Sequence, residues 1–270
     1  MPRSVRHKRK AAHDRLGLVL IALAILLVCG LFVASKYIQG RRTVLDNASM
    51  CPVDGPTGLI VLLVDTTDPL NPIQQADLKN QLERLKDGMP QYYALEVYTV
   101  SEPKDGLLKP LGARVCNPGN GRDASELTSN PRLIKERWEK RFSSPLEDLF
   151  TKMLVVPPAK ESPIFESIQS VAVTAFGGLS ESTSHRTLVI VSDMLQNMPE
   201  YSQYHEIGSF QQIQHSAYYQ RIKPDLRGVD VELYYIRRDQ NVKADKHILF
   251  WQDYFAAAGA TLTHVVRLEG

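Results

Sequence analysis

Cysteine is scarce in this chain, and neither sign of charge dominates. Three cysteines occur in 270 residues, and 32 basic residues nearly balance 30 acidic ones, which gives a formal net charge of +2. So few soft ligands disfavour a zinc site. The even balance gives no overall argument for nucleic acid, because domains that bind its phosphate backbone usually carry a basic excess. We therefore expect no nucleic-acid partner.

The sequence motifs of several enzyme classes are also absent. No serine lies in a G-x-S-x-G nucleophile elbow, and no G-x-x-x-x-G-K-[ST] loop is present to hold nucleotide phosphates. None of the seven histidines forms an H-x-x-x-H pair. No catalytic set is visible, so the sequence predicts a binding protein rather than an enzyme.

Charge is missing altogether from Leu16–Ser35 (LGLVLIALAILLVCGLFVAS), a stretch of twenty residues. About 20 apolar residues span the hydrocarbon core of a bilayer as a helix. Six basic residues and the single Asp14 precede this stretch, so the positive-inside rule places the N-terminus in the cytoplasm. A cleaved signal peptide is the alternative, since Val33-Ala34-Ser35 resembles a small-residue cleavage site. The run is longer, however, than the usual apolar region of about 7–15 residues.

These features predict four segments. We expect a cytoplasmic basic tail over residues 1–15, a transmembrane helix over 16–36, a linker over 37–56 and an exported domain over 57–270. The protein would then be a single-pass inner-membrane protein with its C-terminal domain in the periplasm or outside the cell. Both interpretations of the apolar run, anchor or signal peptide, export this domain.

Cys51 and Cys116 are the only cysteines of the predicted exported part. An oxidising compartment favours a disulfide between them, and closing a loop of that length contributes roughly 4 kcal/mol in the chain-entropy model. Two unrelated thiols are the alternative. Cys29 lies inside the predicted membrane segment, where we expect it only to pack.

Strand and helix patterns alternate from residue 58 onward. Apolar or alternating runs predict strands over Gly58–Asp65, Tyr93–Val100, Ala113–Cys116, Thr187–Val191, Val229–Ile236 and Leu262–Val266. Helical spacing and helix-start residues predict helices over 72–88, from Pro131 towards Met153 with a break near Pro145, from Pro163 to Phe176, over Phe210–Ile222 and over Lys246–Ala258. The first helix should bury Ile73, Ala76, Leu78, Leu82 and Leu85. This alternation predicts an α/β domain with a doubly wound, mostly parallel sheet and helices on both faces.

Acidic residues end two of the predicted strands. Asp65 and Asp193 each follow an apolar strand run, and ligands of open α/β sheets bind outside the carboxyl ends of the strands. Thr67 and Asp68 share the loop of Asp65, and Ser162 begins the helix before the Asp193 strand. Converging carboxylates and hydroxyls suit Mg²⁺, Mn²⁺ or Ca²⁺ better than zinc. The sequence therefore predicts a divalent-cation site at this edge.

The order of these residues resembles a von Willebrand factor type A domain, over about residues 57–268. The pattern is a strand, then D-x-[ST], then a helix, with a Ser or Thr at a later helix start and an Asp after a later strand. The resemblance implies a doubly wound fold and a metal-ion-dependent adhesion site, whose open metal position accepts an acidic group from a protein partner.

The resemblance implies ligand positions residue by residue. Asp65 and Thr67 match the first two motif positions, Ser162 matches the later threonine, and Asp193 matches the later aspartate. Two positions depart from the pattern: Pro69 stands where a second serine is expected, and Met194 stands where glycine is usual. A proline side chain cannot ligate, and Asp68 beside it offers a substitute oxygen.

A hydrolase is the main rival to a binding site. A phosphatase of the haloacid dehalogenase type also begins with a strand that ends in Asp, but it needs a second Asp two residues later, where this chain has Thr67. A membrane-anchored periplasmic metal-dependent hydrolase remains the alternative function. An Asp65→Ala variant that loses turnover and still captures a partner would favour it.

Tyrosines are concentrated in Met198–Gln220, a segment of little charge that follows Asp193 closely. Polar loops rich in tyrosine favour protein recognition, and we expect this one to lie over the site. Packing of Tyr218 and Tyr219 on a helix face is the alternative. The pair Arg237-Arg238 has no aromatic residues interleaved with it, and we expect both side chains to be solvated.

Overall fold

The computed structural model of the chain describes residues 20–33, 43–102, 106–122, 124, 129–154, 159–179, 183–204, 207–238 and 243–268. The chain divides into two compact units, Met1–Val44 and Leu45–Gly270.

The first unit is described only in part. Residues 20–33 form helix α1, and its large apolar side chains are exposed, from Leu20 at 58% to Val33 at 66%. Within the described residues, no helix is both long and apolar enough to cross a membrane. The predicted span over 16–36 extends beyond the described residues on both sides, and the predicted tail over 1–15 lies wholly outside them. The membrane anchor therefore stays a prediction.

The second unit contains a six-stranded sheet with strand order β3-β2-β1-β4-β7-β8. Its strands are β1 (Gly58–Val64), β2 (Tyr93–Thr99), β3 (Val115–Cys116), β4 (His185–Ser192), β7 (Asp230–Ile236) and β8 (Thr261–Leu268). All neighbours pair in parallel except β2 and β3. Counted along the chain, the order is the doubly wound 3-2-1-4-5-6. The predicted α/β fold class is thus confirmed, with an antiparallel edge strand. A separate two-stranded sheet contains β5 (Asn197–Met198) and β6 (Tyr201–Ser202).

Helices connect these strands. They are α2 (Pro72–Gly88), α3 (Pro131–Trp138), α4 (Ser144–Met153), α5 (Ile164–Val171), α6 (Phe210–Ile213), α7 (Ala217–Ile222) and α8 (Ala244–Ala257), with π-helical turns at Glu139–Ser143 and Ala172–Phe176. The single helix predicted over Phe210–Ile222 is wrong, because a new helix begins within it. Ser216 caps that helix: its side chain accepts a hydrogen bond from the backbone N–H of Tyr219.

β1 is buried on both faces, as its unbroken apolar run predicts. Its alternate side chains enter two separate hydrophobic clusters, with Leu59, Val61 and Leu63 in one and Ile60, Leu62 and Val64 in the other. The first cluster is rich in aromatic rings, and Phe165 of α5 lies 5.0 Å from both Trp251 and Tyr254 of α8, centroid to centroid. These contacts pack the start of α5 against α8.

The buried face of α2 agrees with the prediction at Leu78 and Leu82 and differs from it in the first turn. Ile73 is 64% exposed, whereas Gln74, Leu78, Leu82 and Lys86 are buried at a spacing of four residues. Gln74 turns inward because it completes a capping box with Asn71, and its Nε2 donates to the backbone oxygen of Arg237 at 3.1 Å. Hydrogen bonding at the helix start therefore turns Gln74 inward in place of Ile73.

The predicted disulfide between Cys51 and Cys116 is present. Met50 and Cys51 are both buried, and the backbone N–H of Cys116 donates to the oxygen of Ser49 at 2.8 Å. The part of the predicted linker (37–56) that begins at Leu45 is therefore packed within the second unit.

Candidate functional site

The carboxyl ends of β1 and β4 lie side by side in the sheet. The two strands pair in register up to Val64 and Val191, and the backbone N–H of Asp65 donates to the oxygen of Val191 at 2.8 Å. From β1 the chain crosses to β2 on one side, whereas from β4 it crosses to β7 on the other. This is the switch point of a doubly wound sheet, where such folds bind their ligands.

Asp65 joins three segments of the chain at this point. It is only 4% exposed. Its Oδ1 accepts hydrogen bonds from the backbone N–H and the hydroxyl of Thr67, at 3.0 and 2.6 Å. Its Oδ2 accepts from the hydroxyls of Ser192, at 2.7 Å, and Ser162, at 3.4 Å. The structure thus brings Asp65, Thr67 and Ser162 together.

Ser162 is held in place by the small β5–β6 hairpin. Its backbone N–H and oxygen form a two-way bridge with Asn197, with both hydrogen bonds at 3.0 Å. The Asn197 side chain adds a third contact, since its Nδ2 donates to the oxygen of Lys160 at 3.0 Å. The hairpin therefore positions a residue from the start of α5 beside Asp65.

Ser192 is a site residue that sequence reasoning missed. It is fully buried, and its hydroxyl accepts from the backbone N–H of Met194 at 2.7 Å while it donates to Asp65. The one sequence signal for Ser192 is that it precedes Asp193. This signal is weak, because consecutive residues of a strand point to opposite faces and so are not expected to share a site.

Asp193 is buried and follows β4 as predicted. Its Oδ1 accepts from the backbone N–H of Leu195 at 2.9 Å, and its Oδ2 lies 2.9 Å from Nε of Arg238. Burial first, and then the carboxylate of Asp65, raise the pKa of Asp193 above its ordinary value. The two predicted acidic ligands thus follow neighbouring parallel strands at the same end of the sheet.

Met194 occupies a left-handed backbone conformation, with φ at 61°. Glycine adopts this conformation without strain, whereas a bulky residue does so rarely. The strain is maintained by the surroundings: Met194 is fully buried, and its oxygen accepts from Nε1 of Trp251 at 3.1 Å. The turn expected from glycine is therefore present, although the glycine itself is absent.

Arg238 contradicts its predicted role as a solvated side chain. It follows β7, and its Nη1 and Nη2 donate to the backbone oxygens of Pro69 and Asp68, at 2.8 and 2.9 Å. Its side chain is 20% exposed, and its Nε faces Asp193. Arg237, its neighbour, is exposed as predicted. A cation thus lies among the acidic residues, fixed to the loop that carries Asp65.

The tyrosine-rich segment divides between the site and the core. Tyr204 is 53% exposed, and its hydroxyl donates to Oδ2 of Asp68 at 3.3 Å. Tyr201, Tyr218 and Tyr219 instead lie 5.9 to 6.5 Å from the ring of Phe165. The packing alternative therefore holds for Tyr218 and Tyr219, whereas Tyr204 lies beside Asp68 and its role in recognition stays a prediction.

The donor atoms fit a hard divalent cation, since all are oxygens. Asp193 Oδ2 supports this fit, because it is buried, accepts no hydrogen bond within the described part of the chain, and is already paired with a cation, the guanidinium of Arg238 at 2.9 Å. The same part contains no group of three or more His, Cys, Asp or Glu side chains that could hold a metal. The predicted set, with two carboxylates and two hydroxyls, does not depend on such a group.

Comparison with known proteins gives matches only among solved structures. No family model and no curated protein matches the chain. One matching structure is an aerotolerance-related membrane protein from Bacteroides fragilis, at 12% identity and a TM-score of 0.36, covering 79% of this chain and 92% of that one. Another is the ArnB paralog VWA2 from Sulfolobus acidocaldarius, at 12% identity and a TM-score of 0.39, covering 79% and 42%.

A third match is proximal thread matrix protein 1 from the mussel byssus, solved with a zinc-occupied MIDAS motif. It has 10% identity and a TM-score of 0.40, and the match covers 84% of this chain and 44% of that one. This chain therefore spans less than half of the mussel and Sulfolobus chains. At identities of 10 to 12%, these matches assign no role to individual residues of the site.

Proposed function

We propose that this chain is a membrane-anchored protein-binding module. Its strand-end crevice binds an acidic group of a protein partner with the help of Mg²⁺, Mn²⁺ or Ca²⁺. The observation that supports this proposal lies at the switch point of the sheet. There the hydroxyls of Thr67, Ser162 and Ser192 all donate hydrogen bonds to the buried carboxylate of Asp65. Asp193 follows the neighbouring strand β4 at the same end of the sheet, and oxygen donors of this kind suit these cations.

The rim of the crevice supports recognition of a protein. Tyr204 presents an exposed ring beside Asp68, and tyrosine supplies a large contact area at low entropic cost. A cation held between Asp65 and Asp193 would attract a carboxylate, while the ring would contact the residues around it. In this proposal the cation at the centre supplies the affinity, and the tyrosine ring at the rim supplies the specificity.

The anchor and the location of the domain belong to the same proposal. The exposed apolar side chains of α1 supply the helical centre of the predicted span over 16–36. The disulfide supports a periplasmic or extracellular domain, because such bonds persist in oxidising compartments. The module would therefore work at the outer face of the inner membrane.

Photocrosslinking of the full chain in its native membrane tests the binding role. A photoreactive amino acid replaces Tyr204 at the rim, and in a control chain it replaces Thr261, which is exposed at the start of β8. Since β1, β4 and β8 run parallel, Thr261 lies at the opposite end of the sheet. We expect a discrete protein adduct at position 204 that EDTA removes, and none at position 261.

A second variant ties the adduct to the site. Thr67→Val keeps the shape of the side chain and deletes only the hydroxyl that donates to Asp65. We expect the adduct to weaken in this variant, because a predicted ligand oxygen is lost. An adduct of equal yield at both positions, or one indifferent to EDTA and to Thr67→Val, would overturn the proposed role of the crevice.

A further inference from the structure

Arg238 lies where the candidate cation would act. Its Nε is 2.9 Å from Oδ2 of Asp193, and its two terminal nitrogens donate to the backbone oxygens of Asp68 and Pro69. One side of the guanidinium therefore neutralises Asp193, and the other side holds the loop that carries Asp65. We propose that Arg238 is the resident cation of this site, and that a divalent cation binds only by displacing it.

The buried carboxylate of Asp193 needs a positive charge beside it. Asp193 is 4% exposed, and a buried charge without a partner is costly. Arg238 is the only basic side chain within ion-pair distance of this carboxylate among the described residues. Without a bound metal, Arg238 therefore supplies the compensating charge.

The contact between Arg238 and Asp193 is also an incomplete one. Neither Nε of Arg238 nor Oδ2 of Asp193 takes part in a hydrogen bond within the described residues, although the two atoms are 2.9 Å apart. A two-pronged arginine–carboxylate pair would be stronger and better oriented. This end of the pair is therefore held without a well-aligned hydrogen bond, which favours replacement of the guanidinium by another cation.

The two cations exclude each other. A divalent ion on Oδ2 of Asp193 would lie within a few ångströms of the guanidinium, and like charges at that distance repel strongly where water is scarce. Arg238 keeps an escape route because its side chain is 20% exposed. Its departure would also free the oxygens of Asp68 and Pro69, so cation binding would loosen and reshape this loop. The inference rests on the proposed cation site, and it adds the competition that governs its occupancy.

Mn²⁺ binding to the purified full chain tests the competition. Arg238→Gln removes the resident charge, and Arg237→Gln is the matched control, since Arg237 is the adjacent, exposed arginine. We expect Arg238→Gln to bind Mn²⁺ about tenfold more tightly than the unaltered chain, because the competing state is gone. Arg237→Gln should stay within about twofold. Equal or weaker binding by Arg238→Gln, or no Mn²⁺ binding by either chain, would overturn the proposal.

A second measurement uses the unaltered chain, in case Arg238→Gln does not fold. Phenylglyoxal modifies accessible guanidinium groups, and mass spectrometry reports the rate at each arginine. We expect Mg²⁺ to speed modification of Arg238 severalfold and to leave Arg237 unchanged. A rate at Arg238 that Mg²⁺ does not alter would contradict displacement.

The outcomes separate this inference from the proposed function. A crosslinked adduct at position 204 together with unchanged Mn²⁺ affinity in Arg238→Gln would leave the binding module standing and remove the competition. Tight Mn²⁺ binding by Arg238→Gln without any adduct would support the competition and remove the proposed protein-binding role.

Discussion

His247 of α8 should make the stability of this fold fall steeply in mild acid. The side chain is fully buried behind the site. Its Nε2 accepts a hydrogen bond from Nε1 of Trp251 at 2.9 Å, and its Nδ1 lies 3.0 Å from the hydroxyl of Tyr235. A charged imidazole has no acceptor nitrogen, so the contact with Trp251 requires the neutral ring. Burial accordingly lowers the pKa of His247 from 6.5 to about 4.

The sign and the size follow from these two pKa values. Below about pH 6.5 the unfolded chain binds a proton at His247, whereas the folded chain binds it only near pH 4. Stability that is present above pH 6.5 is therefore lost as the pH falls towards 4. The difference between a pKa of 6.5 and one of about 4, at roughly 1.4 kcal/mol for each pH unit, amounts to about 3.5 kcal/mol.

Urea unfolding at successive pH values measures this contribution. The unaltered chain is compared with His247→Gln, which cannot take up the proton, and with His264→Gln, an exposed control on β8. Between pH 4.5 and 6, the free energy of unfolding of the unaltered chain should change by about 1.4 kcal/mol per pH unit more than that of His247→Gln. Parallel curves for these two chains would refute the reasoning.

Two further predictions concern the backbone and the disulfide. Met194→Gly should be more stable than Met194→Ala by about 1 kcal/mol, the reverse of the usual order, because φ is positive at this position. Thermal unfolding of the two variants measures this difference. A more stable alanine variant would contradict the proposed backbone strain at Met194. Reduction should lower the free energy of unfolding by up to about 4 kcal/mol, since Cys51 and Cys116 are 65 residues apart. Urea unfolding with and without reductant checks this, Cys29→Ser should behave like the unaltered chain, and an unchanged midpoint on reduction would count against it.

The first loop of the site could be predicted because its signal is local. An unbroken apolar run indicates a strand buried on both faces, and a sheet of this class binds ligands where such strands end. Asp65 and Asp193 both end apolar runs, so their positions follow from the run and from the fold class. No information beyond the sequence neighbours is needed for either residue.

Arg238 could not be predicted in this way, because its role depends on a contact between distant segments. Arg237 and Arg238 have the same charge and almost the same sequence neighbours. The alternation of side chains along extended backbone leaves one exposed and turns the other towards the loop of Pro69, 169 residues away. The inward turn of Gln74 has the same origin, since its partner is the backbone of Arg237.

The disulfide also has a mechanical consequence. It makes the chain from Cys51 to Cys116 a covalently closed loop, and this loop contains β1 and the Asp65–Pro69 turn. Tension applied between the N-terminal side of Cys51 and the C-terminal side of Cys116 passes through the sulfur–sulfur bond and bypasses everything between them. Tension of this kind would therefore not stretch β1, the strand that precedes the first site residue. Reduction would put that strand directly in the path of the force.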